Sequence, residues 1–227
     1  MSGIKKSNTK YQSDVIVDLI KQYGFEHIAL NPGASYRGLH DSLVNYGEND
    51  PPMMLCTHEK IAVQMAHGYA RHSGKPMIAI VHNLVGLLHA PMGVYYAYLD
   101  RAPVFIIGAT GPIAEPKRRP FIDWIHSANV QGQVIRDYVK WDAQPATVDY
   151  VPDSFARAYS VMMTGRQGPI YMCYDAGLQE AELEHEIAMP PEDGVRVPAQ
   201  AAPDPQALKE AADILAGAER PAIVADF

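Results

Sequence analysis

The chain has 227 residues, 48% of them hydrophobic, and a net charge of −7 from 26 acids against 19 bases. That length allows one full domain and part of another around a sizeable core, and the acidic balance without a basic stripe excludes a nucleic-acid-binding role. No apolar run approaches the roughly 20 residues needed to span a bilayer, and the two cysteines, Cys56 and Cys173, each inside an apolar run, read as buried thiols and not a disulfide framework.

The N-terminal stretch MSGIKKSNTK is polar and reads as frayed. It lacks an apolar h-region, so no signal peptide is expected and a cytoplasmic location is the default. Ser13 is placed to cap a helix running to about Tyr23, with Val15, Ile16, Leu19 and Ile20 on one face and Gly24 at its end. A short strand over 27–30 leads to the sharp turn Asn31-Pro32-Gly33. Residues 37–46 read as a helix with Leu39, Leu43 and Tyr46 on its apolar side. The apolar run Met53, Met54, Leu55, Cys56 then meets His58 and Glu59. A helical pattern follows, with Ile61, Met65 and Tyr69 at four-residue steps, closing at Gly74 and Pro76. Residues 77–81 are nearly all apolar, as a central parallel strand covered on both faces requires, and they end at His82-Asn83.

Residues 86–98 read as a helix, and 104–108 as another buried strand. The stretch 109–135 is less regular and holds the basic cluster Lys117, Arg118, Arg119, a partner-facing or solvated segment. A helix over 153–164, with Phe155, Ala158, Tyr159 and Met162 inward, precedes a strand over 170–173. The alternation predicts an α/β fold: an open, mostly parallel sheet with helices on both faces. We expect this first domain over 1–180 and an acid- and proline-rich linker over 181–205. The beginning of a second α/β domain follows over 206–227, with a helix and a strand from Ala222.

Several chemistries have no local machinery. There is no G-x-G-x-x-G, no P-loop and no G-x-S-x-G, and His58-Glu59 lacks the zincin's second histidine because Ala62 stands there. No histidine spacing suits a metal site, so no residue is assigned as a metal ligand. What remains is polar chemistry at three strand ends: Asn31-Pro32-Gly33-Ala34, His58-Glu59, and His82-Asn83 with His89 two turns on. Such junctions converge at the carboxyl edge of a parallel sheet, where open α/β folds place ligands. Taken alone, Glu59 reads equally well as a helix first-turn acid favoured by the macrodipole.

The order NPG, then THEKIAVQMAHGYARHSGKP, then HNLVGLLHAPMGVYYAYLDRAPVFIIGATGP, resembles the N-terminal pyrimidine-binding domain of thiamine-diphosphate enzymes. The closest group is that of acetolactate synthase, pyruvate decarboxylase and benzoylformate decarboxylase. The similarity covers about residues 11–180, and ALKEAADILAGAERPAIVADF resembles the opening of that family's central domain. The resemblance implies thiamine diphosphate as cofactor, with Glu59 sharing a proton with N1′ of its aminopyrimidine. It implies that Asn31, Pro32 and Gly33 form the loop beside the cofactor, that His82 is an acid/base, and that His89 faces the cleft. Ala34 stands where some relatives carry a serine or aspartate, and Ser35 is expected to point elsewhere. Tyr36, Tyr95, Tyr96 and Phe121 are candidates to shape the substrate pocket, with core packing expected for most of them. The family's diphosphate and Mg2+ are held by a Gly-Asp-Gly domain that has no counterpart here, and FAD in the central domain is left open. The implied activity is C–C cleavage or formation on small 2-oxo acids, by a decarboxylase or a carboligase. The implied assembly is a homodimer or homotetramer, or a complex with a separate diphosphate-binding subunit, the chain being a fragment or a split subunit. A C–C hydrolase or lyase of the same family and a non-catalytic α/β binding module are the alternatives.

Overall fold

The computed structural model describes residues 9–191 and 197–224. Most of the N-terminal stretch expected to fray and the middle of the expected linker lie outside the described residues. The chain divides into two units, residues 1–197 and 198–227.

In the first unit six strands form one sheet: β1 Ile28–Leu30, β2 Met53–Leu55, β3 Met77–Ile80, β4 Val104–Thr110, β5 Asp142–Ala143 and β6 Ile170–Asp175. Their order is β2-β1-β3-β4-β6-β5, and every pairing is parallel. Eight helices accompany them among the described residues: α1 Gln12–Gln22, α2 Arg37–Asp41, α3 Glu59–Ser73, α4 Leu84–His89, α5 Pro91–Leu99, α6 Ile122–His126, α7 Val151–Met163 and α8 Ala176–Gln179.

Side chains alternate across a strand with a period of two, and here the alternation divides the core into two layers. Ile78 and Ile80 of β3, Phe105 and Ile107 of β4 and Ile170 and Met172 of β6 face one layer, filled by Val15, Ile16 and Leu19 of α1, Leu39 of α2 and Phe155 of α7. Met77 and Ala79, Val104 and Ile106, and Tyr171 and Cys173 face the other, filled by Ala62, Val63 and Ala66 of α3 and Val94 and Ala97 of α5. Both cysteines are free and buried, as expected.

The inner face of α3 is small: Ala62, Val63, Ala66 and Ala70 are buried, whereas Ile61 and Met65 are exposed. Gly93 of α5 lies against it, and a Cβ there would fall 3.2 Å from Val63. Small residues on both sides let two helices and the sheet pack closely.

Four local expectations change. Ser13 does not cap α1; it is buried and its hydroxyl meets Ser42 Oγ at 2.7 Å. The cap comes from Asp14, whose Oδ2 accepts from the backbone N–H of Lys10 and of Tyr11, each at 2.9 Å. The helix expected over 37–46 begins with a 3₁₀ turn at Ala34–Tyr36 and ends in a π turn over Ser42–Tyr46. The helix expected over 86–98 is two, broken at Ala90 before Pro91, whose ring cannot sit inside a helix without breaking a hydrogen bond. Leu183, Ile187 and Met189, from the segment expected as linker, pack on the first unit's core.

The second unit holds α9, Pro205–Gly217, capped by Asp204 Oδ1, which accepts from Ala207 N at 2.8 Å. The strand expected from Ala222 does not form over 221–224, and 225–227 lie outside the described residues. A single strand without a neighbour has no ladder to pair with.

Gly74 ends α3 at φ +72°, and nothing lies within 4 Å of where a Cβ would be. Gly74→Ala therefore isolates backbone strain and is expected to lower unfolding free energy by about 1–2 kcal/mol, read as a reduced urea midpoint at constant slope.

Candidate active site

The three strand ends singled out above belong to adjacent strands. β1 lies between β2 and β3, and Leu30 pairs with both Leu55 and Ile80. The backbone closes the edge: Cys56 N–H donates to Leu30 O at 2.8 Å, and Asn31 N–H to Ile80 O at 3.3 Å. Asn31-Pro32-Gly33, His58-Glu59 and His82-Asn83 therefore leave the sheet at one level.

His58 adopts extended backbone, φ −160°, and its Nδ1 accepts from Lys60 N–H at 3.1 Å, capping α3. That places Glu59 in the first turn, only 5% exposed. Its Oε2 lies 3.3 Å from His89 Nδ1, and the His89 ring stacks on His58 with centroids 5.0 Å apart. Gly86 of α4 lies against both Glu59 and His82: a Cβ there would fall 2.8 Å from Glu59 Oε1 and 2.8 Å from His82 Cβ. Burial pushes the Glu59 carboxyl up, but the Asn31 side chain, the residue's own N–H and His89 outweigh it, holding the carboxyl below its ordinary 4.5.

The 3₁₀ turn after Gly33 buries Ser35, contrary to the expectation that it points elsewhere. Its Oγ accepts from Asn83 N–H at 3.2 Å and lies 2.9 Å from His82 Nδ1. We assign the hydroxyl proton to His82 Nδ1, which leaves the neutral imidazole's proton on Nε2. Gln179 of α8 holds this turn: its Nε2 donates to Ser35 O at 3.2 Å and its Oε1 accepts from Leu39 N–H at 3.2 Å. Gly33 allows the approach, since a Cβ there would fall 2.5 Å from His82 Nδ1. Burial, with His126 and Arg119 adding to it against the pull of Glu59, keeps the His82 imidazole below its ordinary 6.5.

The family model described as "Thiamine pyrophosphate enzyme, N-terminal TPP binding domain" matches residues 12–132, more than half of the chain. The chain belongs to the thiamine pyrophosphate (TPP) enzymes. The Pseudomonas aeruginosa protein named "Probable 2-ketoarginine decarboxylase AruI" is 27% identical over 98% of this chain and 38% of its own length. The acetolactate synthase large subunit of Lactococcus lactis is 29% identical over 75% of this chain and 28% of its own. The chain thus spans well under half the length of these curated relatives. In fold it is similar to the benzoylformate decarboxylase of Polynucleobacter necessarius, with a TM-score of 0.75 at 24% identity over 92% of this chain and 37% of that one.

The residues of this TPP-binding domain fit an aminopyrimidine. A carboxylate offers about four lone-pair positions, and Glu59 is buried at an edge that also exposes apolar surface at Leu55 and Leu88. His58, Glu59 and His89 bring one ligand atom each within 4.8 Å of one another. His58 Nδ1 is committed to the helix cap and His89 Nδ1 faces the carboxylate, an arrangement suited to hydrogen bonding with a ring nitrogen. A cavity of about 600 Å³, lined among others by Lys117, Asp149, Asp175 and His185, lies elsewhere and includes none of these residues.

Of the aromatic residues expected in core packing, only Tyr36 is buried; Tyr95, Tyr96 and Phe121 are exposed, Phe121 at φ +69°. Two site neighbours had no site role expected from the sequence. Ser35 is one, because its direction depends on the 3₁₀ turn. His126 of α6 is the other, its ring centroid 6.0 Å from that of His82. No sequence signal marks His126; it lies in the irregular stretch after β4.

Ser35→Ala leaves the buried Asn83 N–H without its acceptor and is expected to cost about 1–3 kcal/mol of unfolding free energy, measured by urea denaturation. Because the folded-state carboxyl of Glu59 lies below 4.5, its ionised form adds stability that is complete above 4.5 and lost as pH falls through the lower folded value. The stability lead of wild type over Glu59→Gln should therefore shrink on acidification below 4.5, as read by thermal melts across pH.

Proposed function

We propose that this chain supplies the aminopyrimidine half of the site in a TPP-dependent enzyme that cleaves or forms C–C bonds of small 2-oxo acids, as a decarboxylase or an acetolactate synthase-like carboligase. The observation that carries the reading is Glu59: a carboxylate 5% exposed, at a helix N-terminus, level with two other functional strand ends. When bound, thiamine diphosphate supplies a nucleophilic thiazolium carbon and an electron sink for the bond beside the 2-oxo group.

Glu59 holds a proton against N1′ of the aminopyrimidine. A charge-assisted hydrogen bond in a low-dielectric edge is stronger than a neutral one; glutamine would keep the shape but could not exchange the proton. Asn31, Pro32 and Gly33 line the cleft, and the Asn31 side chain helps keep Glu59 ionised. His89, against Glu59, orients the carboxylate. His82, with its proton on Nε2 and Nδ1 tied to Ser35, is the acid/base that moves a proton to or from the reacting substrate. The diphosphate and Mg2+ are assigned to a domain beyond this sequence, with FAD left open.

A homodimer or homotetramer, or a separate diphosphate-binding subunit, would complete the site. Support comes from the outer faces of α3 and α5, which expose Ile61, Met65, Met92, Tyr95, Tyr96 and Leu99. Among the described residues no helix is long and apolar enough to cross a membrane; cytoplasmic location is part of this proposal.

Glu59→Gln in the complete enzyme, at saturating thiamine diphosphate and Mg2+, is expected to lower kcat by at least about 100-fold. Turnover within a few-fold of wild type would remove the central role of Glu59. A panel of 2-oxo acids, scored for CO₂ against acyloin, separates decarboxylase from carboligase; C–C cleavage without either product would indicate the hydrolase branch.

A further inference from the structure

Beside His82 stands a second imidazole to which the proposed proton chemistry gives no task. His126 ends α6, in the irregular stretch after β4, and its ring stands edge-on to that of His82 with centroids 6.0 Å apart and planes at 66°. Its Nδ1 is buried and has no hydrogen-bond partner. A buried, unpaired ring nitrogen costs free energy, so its placement calls for a compensating role.

We propose that His126 is a positioning residue for the protonation state of His82, the two imidazoles carrying no more than one positive charge between them. Like charges at this separation, partly shielded from water, disfavour double protonation. The serine beneath reinforces the effect. Ser35 Oγ accepts from Asn83 N–H and, in the tautomer assigned above, donates to His82 Nδ1. A proton added at Nδ1 would force that hydroxyl to turn its own proton away from the ring. His82 is thereby kept a neutral imidazole with its proton on Nε2, the form that can take part in proton transfer from that nitrogen.

Burial is the largest influence lowering the His82 imidazole and His126 the next, and the other charged groups around it are offset by partners. Glu59, at the start of α3, favours the imidazolium, and its influence is shared with His89. Arg119, in the loop before α6, opposes the imidazolium but is neutralised by Asp123, which it meets at 3.0 Å, with Arg37 also acting on Asp123. His126 is the titratable group whose removal changes the balance without unpairing another charge.

The inference rests on the proposed role of His82, but its test needs neither cofactor nor turnover. Histidine Cε1–H resonances of the full chain, labelled with 13C and 15N, are followed across pH, and His82 is assigned by its loss in His82→Gln. In wild type the His82 resonance is expected to titrate below the ordinary imidazole value. In His126→Phe and His126→Gln its midpoint should move to higher pH, whereas His126→Lys, which keeps a cation, should hold it down. In the complete enzyme, the limb of the kcat/KM pH profile that disappears in His82→Gln should follow the NMR midpoint. A His82 midpoint unchanged in both neutral His126 variants overturns the proposal. If wild-type enzyme with thiamine diphosphate turns over no 2-oxo acid, the functional reading fails while the titration still decides the pairing.

Discussion

The site depends on one constraint, the parallel register that brings Leu30 level with both Leu55 and Ile80. Parallel strands all end on the same side, so the residues that follow them emerge together. Asn31, Glu59 and His82 are far apart in sequence, and each follows a short apolar strand. A slip of one residue in any pairing would turn its side chains to the other face. It would also move the polar residue that follows. The two core layers, with Ile78 and Ile80 on one side and Met77 and Ala79 on the other, hold that register in place.

Given the register, the site is shaped by residues that take up little space. Gly86 lets the α4 backbone reach Glu59 and His82, and Gly33 lets the turn after β1 reach the His82 ring. Small residues also bring α3 against the sheet and α5 against α3, through Ala62, Ala66 and Gly93. The close approach excludes water from one side of Glu59, and that burial raises its carboxyl. Asn31 and His89 provide the opposing hydrogen bonds, so the group is both buried and ionised. A carboxylate in that state is poised to bind a proton-bearing ring nitrogen. A surface acid in the first turn of a helix would gain little from its environment beyond the macrodipole.

Ser35 and Gln179 illustrate a second layer of support. Ser35 joins His82 to the backbone of Asn83, and Gln179 ties the Ser35 carbonyl to the Leu39 amide and to Tyr174 O. Such chains fix the tautomer and direction of an imidazole far better than packing alone. They also connect the site to α8, an element that the sequence reading did not resolve.

The sequence by itself determined the α/β class, the positions of most strands and the three polar strand ends. Period-two and 3.6-residue apolar patterns and turn residues such as Gly24, Gly74 and Asn31-Pro32-Gly33 are local, and local chemistry writes them directly into the chain. It also marked Glu59, His82 and His89 as candidates. Only the tertiary structure decided that Ser13 is buried against Ser42 and not a cap, and that Pro91 splits one expected helix into two. It also decided that Tyr95, Tyr96 and Phe121 face outward, and that Ser35 and His126 stand beside His82. Those outcomes depend on which surfaces meet when distant segments pack. Side-chain direction there is set by partners across the fold, which no single stretch of sequence contains.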